Sequence, residues 1–369
     1  MKVCNRCVMN ETDPQITFDE NGYCNHCTRY FDTAKTVLAP RSALDVVVDK
    51  IKKVQRDNKY DCVLGLSGGT DSSYVAYLAK ELGLRPLLVH FDNGWNTPEG
   101  NKNVEAVVKG TGFDFITETC DFEEVRDLQL AYLKAGVKNI EVITDHAIQA
   151  TIFKIANEYD VKYLLRGTNW TTEGILPRSW VYRFNDLTNL KSIHGKHGSV
   201  KLKTYPTLSM LNFAWQIVVK GVKTVSPLNY IDYNRQEAIE TLQSEWGYVD
   251  YGGKHCESVC TRFYQNYILP TRWGIDKRRA HLSTLICSNQ ITKDEALEIL
   301  KTPPYTEEEY RRDRELFIKK LRITDDELDY YMQLPKKKHE DYDTNSRLYN
   351  ILSALNSAYI SIRGKRLIQ

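Results

Sequence analysis

Residues 61–73 read Asp61-Cys62-Val63-Leu64-Gly65-Leu66-Ser67-Gly68-Gly69-Thr70-Asp71-Ser72-Ser73. A short apolar run ends in a polar glycine turn, and the next segment, Tyr74-Val75-Ala76-Tyr77-Leu78-Ala79-Lys80-Glu81-Leu82, suits a helix. The order is buried strand, tight turn, helix N-terminus. Such a turn leaves backbone N–H groups unpaired at the positive end of a helix dipole. Its two glycines let a ligand approach the main chain, and hydroxyls at 67, 70, 72 and 73 add donors. Together these make an anion site, most naturally for phosphate. The protein is expected to consume a nucleotide.

The lysine-bearing Gly-x-x-x-x-Gly-Lys-Ser/Thr signature does not occur. The Ser-Gly-Gly-x-Asp-Ser pattern instead resembles the PP-loop of the ATP pyrophosphatases, which split ATP between the α and β phosphates and adenylate a carbonyl oxygen. The resemblance implies that Ser67, Gly68, Gly69, Thr70, Asp71, Ser72 and Ser73 bind ATP phosphates. It also implies that Asp71 helps to organise Mg²⁺.

Outward from this loop, apolar runs at 61–67, 86–91, 113–117, 161–166 and 222–226 read as strands. Helical patterns at 71–83, 100–110, 121–135 and 144–158 fall between them. The alternation predicts an α/β fold with a doubly wound parallel sheet and ligand sites at the carboxyl ends of its strands. Residues 43–56 read as an amphipathic helix with Leu44, Val47, Val48, Ile51 and Val54 on one side. Three regions are expected: a metal module over 1–38, an ATP-binding α/β domain over 39–229, and a mainly helical C-terminal substrate or partner region over 230–369. The last includes a charged stretch from Thr306 to Arg322.

Cys4-x2-Cys7 and Cys24-x2-Cys27 have the spacing of a four-thiolate zinc ribbon or knuckle, with a turn expected at Asn21-Gly22. About forty residues cannot bury enough core alone, so the metal would supply folding energy. Four thiolates leave no position for water, so the zinc is expected to be structural. His26 reads as a bystander. The 369 residues carry 50 basic and 48 acidic side chains, a net charge of +2, which does not favour a nucleic-acid surface. No apolar run is long enough to span a bilayer, and the first residues do not read as a signal peptide, so a cytoplasmic protein without membrane partners is expected.

Two loops follow predicted strands. Asp92, in Phe91-Asp92-Asn93-Gly94-Trp95, either touches a nucleotide or its metal or belongs to an ordinary polar loop. Gly167 and Thr168, in Gly167-Thr168-Asn169-Trp170, are candidate ATP contacts. His146 reads as a helix-start or core histidine. A further block, Tyr251-Gly252-Gly253-Lys254-His255-Cys256-Glu257-Ser258-Val259-Cys260-Thr261-Arg262-Phe263-Tyr264-Gln265, suggests a helix over 256–268 with Glu257, Cys260, Thr261 and Tyr264 on one face. Asp276-Lys277-Arg278-Arg279-Ala280-His281-Leu282-Ser283 comes soon after. Such clusters either bind a polyanion or form an exposed charged helix.

These blocks together resemble the N-acetyl sugar amidotransferases of the surface-polysaccharide type (WbpG, PseA-like). The resemblance rests on the four N-terminal cysteines, the Ser67–Ser73 loop, Asp92–Trp95, Gly167–Asn169 and the two C-terminal blocks. It implies lipopolysaccharide O-antigen or related glycan biosynthesis. ATP would adenylate the acetamido carbonyl of a nucleotide-linked N-acetyl sugar, and ammonia would displace AMP to leave an amidine. Lys254, His255, Glu257, Arg262 and Lys277 are the candidates for the substrate end, with His255 or Glu257 as a base toward ammonia. No cysteine is placed to act as a glutaminase nucleophile. A separate glutaminase subunit (HisH-like) is therefore expected, and the resemblance adds a HisF-like cyclase. The rival reading is a tRNA-thiolating PP-loop enzyme in which Cys256, Cys260 and Cys287 hold an iron–sulfur cluster. The bland alternative for these cysteines is buried thiols. A third reading is a zinc scaffold without ATP turnover.

Overall fold

A computed structural model describes residues 1–363, with side chains through 354. The N-terminal module carries α1 (Asn25–Val37) and leads into α2 (Arg41–Val54). The sheet region then runs β1 (Cys62–Gly65), α3 (Thr70–Glu81), β2 (Pro86–Asp92), α4 (Pro98–Thr111), β3 (Phe115–Thr119), α5 (Phe122–Ala135), α6 (Val142–Glu158) and β4 (Tyr163–Leu165). After β4 come α7 (Trp170–Glu173), α8 (Leu187–His197), α9 (Met210–Val218) and β5 (Lys223–Val225). The remainder is helical: α10 (Arg235–Trp246), α11 (Val259–Phe263), a π-helical stretch (Tyr264–Trp273), α12 (Arg278–Cys287), α13 (Lys293–Lys301), α14 (Glu307–Leu321), α15 (Asp325–Gln333) and α16 (Ser346–Arg363).

All strand pairings are parallel, in the order β3-β2-β1-β4-β5. The order reverses between β1 and β4, so the crevice for a ligand opens beyond their carboxyl ends. Both faces of the sheet are covered, which is why the central strands β1 and β4 carry no charged residue. The two-residue period of a strand still sorts them. Cys62, Leu64, Leu88 and Leu165 pack with α2, α3 and α4, whereas Val63, Leu87, Val89 and Leu164 pack with Ile152, Phe153 and Ala156 of α6. The expected strand at 113–117 lies at Phe115–Thr119, because Gly112 ends α4 in the left-handed region (φ 70°) and the chain needs two further residues to enter the sheet.

A third core joins the cysteine module, α5 and the C-terminal helices around Trp95, Trp180, Phe263 and Phe317. The charged stretch from Thr306 to Arg322 is α14, opened by a Thr306/Glu309 capping box. It buries Asp313, Phe317 and Leu321, spaced four apart on one face. The helix expected over 256–268 is not continuous. Ser258 caps α11 by accepting from Thr261 N, and the chain turns π-helical from Tyr264. Glu257 therefore precedes the helix and does not share a face with Cys260, Thr261 and Tyr264.

Candidate active site

The glycine turn after β1 forms as its composition dictates. Gly68 sits at φ +82°, and a Cβ there would collide with the Gly100 carbonyl oxygen of α4, so only glycine fits. Ser67 Oγ accepts from Gly69 N (3.1 Å) and lies 3.1 Å from Ser72 Oγ, which bonds the Gly69 carbonyl. The N-cap of α3 is Gly69, which has no side chain to accept from the N–H groups of the first turn. Ser73 is fully buried beneath the turn, with no hydrogen-bond partner at its Oγ. The Gly167 turn packs directly on this N-terminus, since a Cβ at Gly167 would stand 2.7 Å from Ser72 N. Thr168 beside it is exposed.

Residues 248–257 lie across the loop. Tyr251 Oη accepts the Thr70 N–H at 3.1 Å, and Tyr248 Oη bonds the Gly68 carbonyl at 3.2 Å. Glu257 Oε1 lies 3.0 Å from where a Cβ on Gly69 would be, and its Oε2 is buried without a hydrogen-bond partner. Burial, with Asp71 adding to it, pushes the Glu257 carboxyl up to about 7. The Glu257 carbonyl accepts from Thr97 N (2.8 Å), and Ser258 bridges Asn96. The loop after β2 thus anchors this covering segment. Asp92 closes that loop by accepting from Gly94 N at 2.8 Å.

At the centre stands Asp71. Its Oδ1 accepts from Tyr233 Oη (2.6 Å), and its Oδ2 from Lys254 Nζ (3.1 Å) and Thr172 Oγ1 (3.3 Å). Lys254 Nζ also reaches Thr172 Oγ1 (2.8 Å) and Glu173 Oε1 (2.9 Å). Burial alone would raise the Asp71 carboxyl, but the Lys254 charge and the hydrogen bonds from Tyr233 and Lys254 together outweigh it and hold the group below the usual range. The Lys254 ammonium is held correspondingly above its own, Asp71 and Glu173 prevailing over burial. His255, at a left-handed φ of +62°, projects its ring to 3.8 Å from Glu173 and 5.7 Å from the His281 ring. Burial and then the charges of Lys254 and Lys277 push His255 down to about 3, and His281 also lies well below the ordinary value. Both imidazoles are neutral at physiological pH.

Lys277 pairs with Glu141 (2.9 Å), which also accepts from Gln265 (2.7 Å). Asp145, one turn into α6, is pushed up to about 7 by burial and by Glu141. The glycine turn thus stands beside a mixed cluster of carboxylates, lysines and neutral imidazoles. Arg262 is directed elsewhere: its guanidinium clamps Asp313 of α14 at 2.6 and 2.8 Å.

Sequence reasoning missed Tyr233, Thr172, Glu173, Glu141 and Asp145. Thr172 and Glu173 follow the Gly167–Trp170 block by two and three residues and were within reach. The other three are isolated polar residues without a motif.

The sulfurs of Cys4, Cys7, Cys24 and Cys27 lie within 4.8 Å of one another, all fully buried. Separations of 3.9, 3.8 and 3.6 Å match the roughly 3.8 Å set by a tetrahedral zinc with Zn–S bonds of about 2.3 Å. These residues fit zinc. The Asn21-Gly22 turn closes with Gly22 at φ +73°, and His26 bonds Asp13 at 2.6 Å. His146 is a core histidine: one ring nitrogen lies 2.7 Å from the Phe184 carbonyl and the other accepts from Leu208 N. Cys256, Cys260 and Cys287 do not converge. Cys260 bonds Gln129, Cys256 lies near the Lys254 carbonyl, and Cys287 lies 3.7 Å from Cys27. Among the described residues, the four N-terminal cysteines are the metal-ligating cluster.

The NAD synthase family matches residues 43–170, which span the glycine turn and the strand-end loops. Parallel sheet, turn and match define a PP-loop protein of the ATP-using kind. A second family, LPS biosynthesis protein WbpG-like, C-terminal domain, matches residues 257–356. The chain is a WbpG-like member of the PP-loop superfamily. Among curated proteins it is 37% identical over 76 residues to the tRNA(Ile)-lysidine synthase of Chlamydia pneumoniae, covering 20% of this chain and 24% of that one. It is 27% identical over 124 residues to the enzyme of the same name from Thermus thermophilus, covering 33% and 23%. The chain therefore spans about a quarter of the length of these relatives. Among solved structures, the U34-tRNA thiolase NcsA from Methanococcus maripaludis aligns over 82% of this chain and 89% of its own, at 15% identity and a TM-score of 0.34. NMN synthetase from Francisella tularensis aligns over 61% and 88%, at 14% identity and 0.28. Among the described residues no helix is long and apolar enough to cross a membrane.

Proposed function

We propose that the chain is an AMP-forming amidotransferase acting on an N-acetyl sugar linked to a nucleotide. The observation that carries this reading is the direct contact of the two matched regions. Glu257, the first residue of the WbpG-like match, lies against Gly69 of the phosphate turn, and Lys254, which precedes that match, is held on Asp71. A pole that binds phosphates faces a pole able to handle a polar acceptor.

The acetamido oxygen would attack the α-phosphorus of ATP, and the bond to the β-phosphate oxygen would break to release pyrophosphate. Ammonia would then add to the imidate carbon, the C–O bond would break, and AMP would leave with the former amide oxygen. The added nitrogen gives one proton to the departing phosphate or to the neutral His255 and keeps two in the amidinium. The N-terminus of α3 would hold departing phosphate, and Lys254 would neutralise charge. The segment over the loop would exclude water from the imidate. Asp71 and Glu173, which share the Lys254 ammonium, could hold Mg²⁺, which would offset phosphate charge. The neutral His255 and His281 suit a site that must not add charge beside an incoming amine. Ammonia would come from a separate HisH-like glutaminase, with a HisF-like cyclase as a second partner, in a cytoplasmic pathway to O-antigen or related glycans.

The test is incubation with Mg-ATP, an ammonium salt and UDP- or CMP-linked acetamido sugars, following AMP and sugar mass. Sugar-dependent AMP with a product one mass unit lighter supports the proposal. AMP formed with bulk tRNA and with no sugar would favour the tRNA reading, which the separation of Cys256, Cys260 and Cys287 does not support.

A further inference from the structure

We infer that Tyr30 is a positioning residue, through which the cysteine module sets the place of Glu173 and hence of Lys254. The inference rests on the cleft being the reactive site proposed above. Tyr30 lies on α1, one turn after Cys27, and is 2% exposed. Its ring stacks on Trp170 with centroids 5.8 Å apart and an interplanar angle of 21°. Its carbonyl accepts from Trp170 Nε1 at 3.0 Å.

Trp170 opens α7, the four-residue turn that ends at Glu173. Behind that turn, a Cβ on Gly174 would stand 2.7 Å from the Tyr30 ring, so the two backbones cannot drift together or apart independently. Arg29 adds a bond to the Leu176 carbonyl at 3.3 Å. A four-residue helix has too few internal bonds to hold itself. Its geometry must come from what it leans on, and it leans on α1.

The second support runs through α12. Ser283 Oγ accepts from Val8 N, Arg279 bonds the Val8 carbonyl, and Thr284 Oγ1 accepts from Ile175 N. The same helix brings Cys287 to 3.7 Å from Cys27 and His281 beside His255. The module therefore grips two of the elements that present side chains to Lys254 and His255, α7 with Glu173 and α12 with His281. A zinc on the four thiolates would fix α1 and, through Tyr30, the carboxylate 2.9 Å from Lys254.

The experiment uses the full-length metal-loaded chain and its Tyr30→Ala, Tyr30→Phe and Trp170→Phe variants. Acetic anhydride at limiting dose labels Lys254, and peptide mass spectrometry reads the extent. Tyr30→Ala should raise Lys254 labelling several-fold while zinc content stays at the wild-type level. Tyr30→Phe keeps ring and carbonyl and should match wild type. Removing the metal with an organomercurial should raise labelling as Tyr30→Ala does. In turnover, Tyr30→Ala should lower kcat roughly tenfold and leave the KM for ATP unchanged, as expected for a misplaced group. Wild-type labelling in a folded, zinc-loaded Tyr30→Ala protein would overturn the inference. If Tyr30→Ala does not fold, Trp170→Phe, which removes only the indole donor and part of the stack, must shift labelling in the same direction, and unchanged labelling overturns the inference. Should wild type form no AMP with any acetamido sugar, the functional proposal falls while Lys254 labelling still decides the positioning role.

Discussion

The phosphate turn and the segment over it, Tyr248 to Glu257, meet at one set of atoms but are built in opposite ways. The turn is contiguous, and its shape follows from its own backbone of strand, two glycines and helix. The covering segment, as far as Ser258, has no helix or strand of its own and is held from outside. Asn103 of α4 clasps Val249 by both its N–H and its carbonyl, and Thr97 holds the Glu257 carbonyl. Within the segment, Gly252 sits at φ +88° with open space where a Cβ would be. Local sequence dictates the first geometry, whereas residues distant in the chain dictate the second. The turn should therefore tolerate almost no substitution, while the cover should yield graded effects.

The largest break is expected on the turn side. Asp71→Asn preserves shape but removes the charge that Lys254, Tyr233 and Thr172 converge on. AMP-forming kcat should fall about a thousandfold, or about 4 kcal/mol of transition-state stabilisation. A loss below tenfold in a rapid-quench assay would remove Asp71 from the reactive centre.

Arg262→Met comes next, and its effect should fall on stability. Its Asp313 partner has a side chain only 1% exposed, and truncating one member of a buried pair costs about 3 kcal/mol. Urea unfolding would show the drop, with the KM for the sugar unchanged. A raised KM at unaltered stability would put Arg262 back among the acceptor contacts that the sequence suggested. Lys254→Met should then cost about a hundredfold in kcat. Arginine should not rescue it, because a planar fork cannot replace a point charge seated between two carboxylates.

The same division explains what the sequence made legible. The fold, the phosphate turn and the four thiolates are written in short-range patterns, namely alternating apolar runs, Ser-Gly-Gly-x-Asp-Ser and paired C-x2-C. The acceptor pole is written only in part: Lys254, His255, Lys277 and His281 fall in the two C-terminal blocks, whereas Glu141, Glu173 and Tyr233 come from separate stretches and meet only in the folded chain. Asp92 and Arg262 show the converse. Each has the residue type of a site group, but the first serves its own turn and the second serves α14. The π-helical stretch after Tyr264 also escaped, since a 3.6-residue period carries no mark of where it fails.

The smallest and most diagnostic effect concerns Glu257. The charged and titratable groups facing it are Asp71, Lys254, Arg235, Tyr248, Tyr251 and Cys256, and burial with Asp71 pushes its carboxyl up to about 7. Above that pH an ionised carboxylate sits against Gly69, where phosphate oxygens would go, and repels them. Below it the neutral acid repels nothing and can donate a hydrogen bond to phosphate. ATP binding should thus tighten as pH falls from 8 to 6, by at most about tenfold per pH unit for one linked proton. Glu257→Gln is neutral at every pH, so its affinity at pH 8 should match that of wild type at pH 6, with a flatter profile. ATP takes up its own proton alike in both proteins, so the difference between their calorimetric curves isolates this side chain. Parallel curves would mean that Glu257 does not meet the phosphates, and the contact between turn and cover would then be carried by Tyr248, Tyr251 and Lys254.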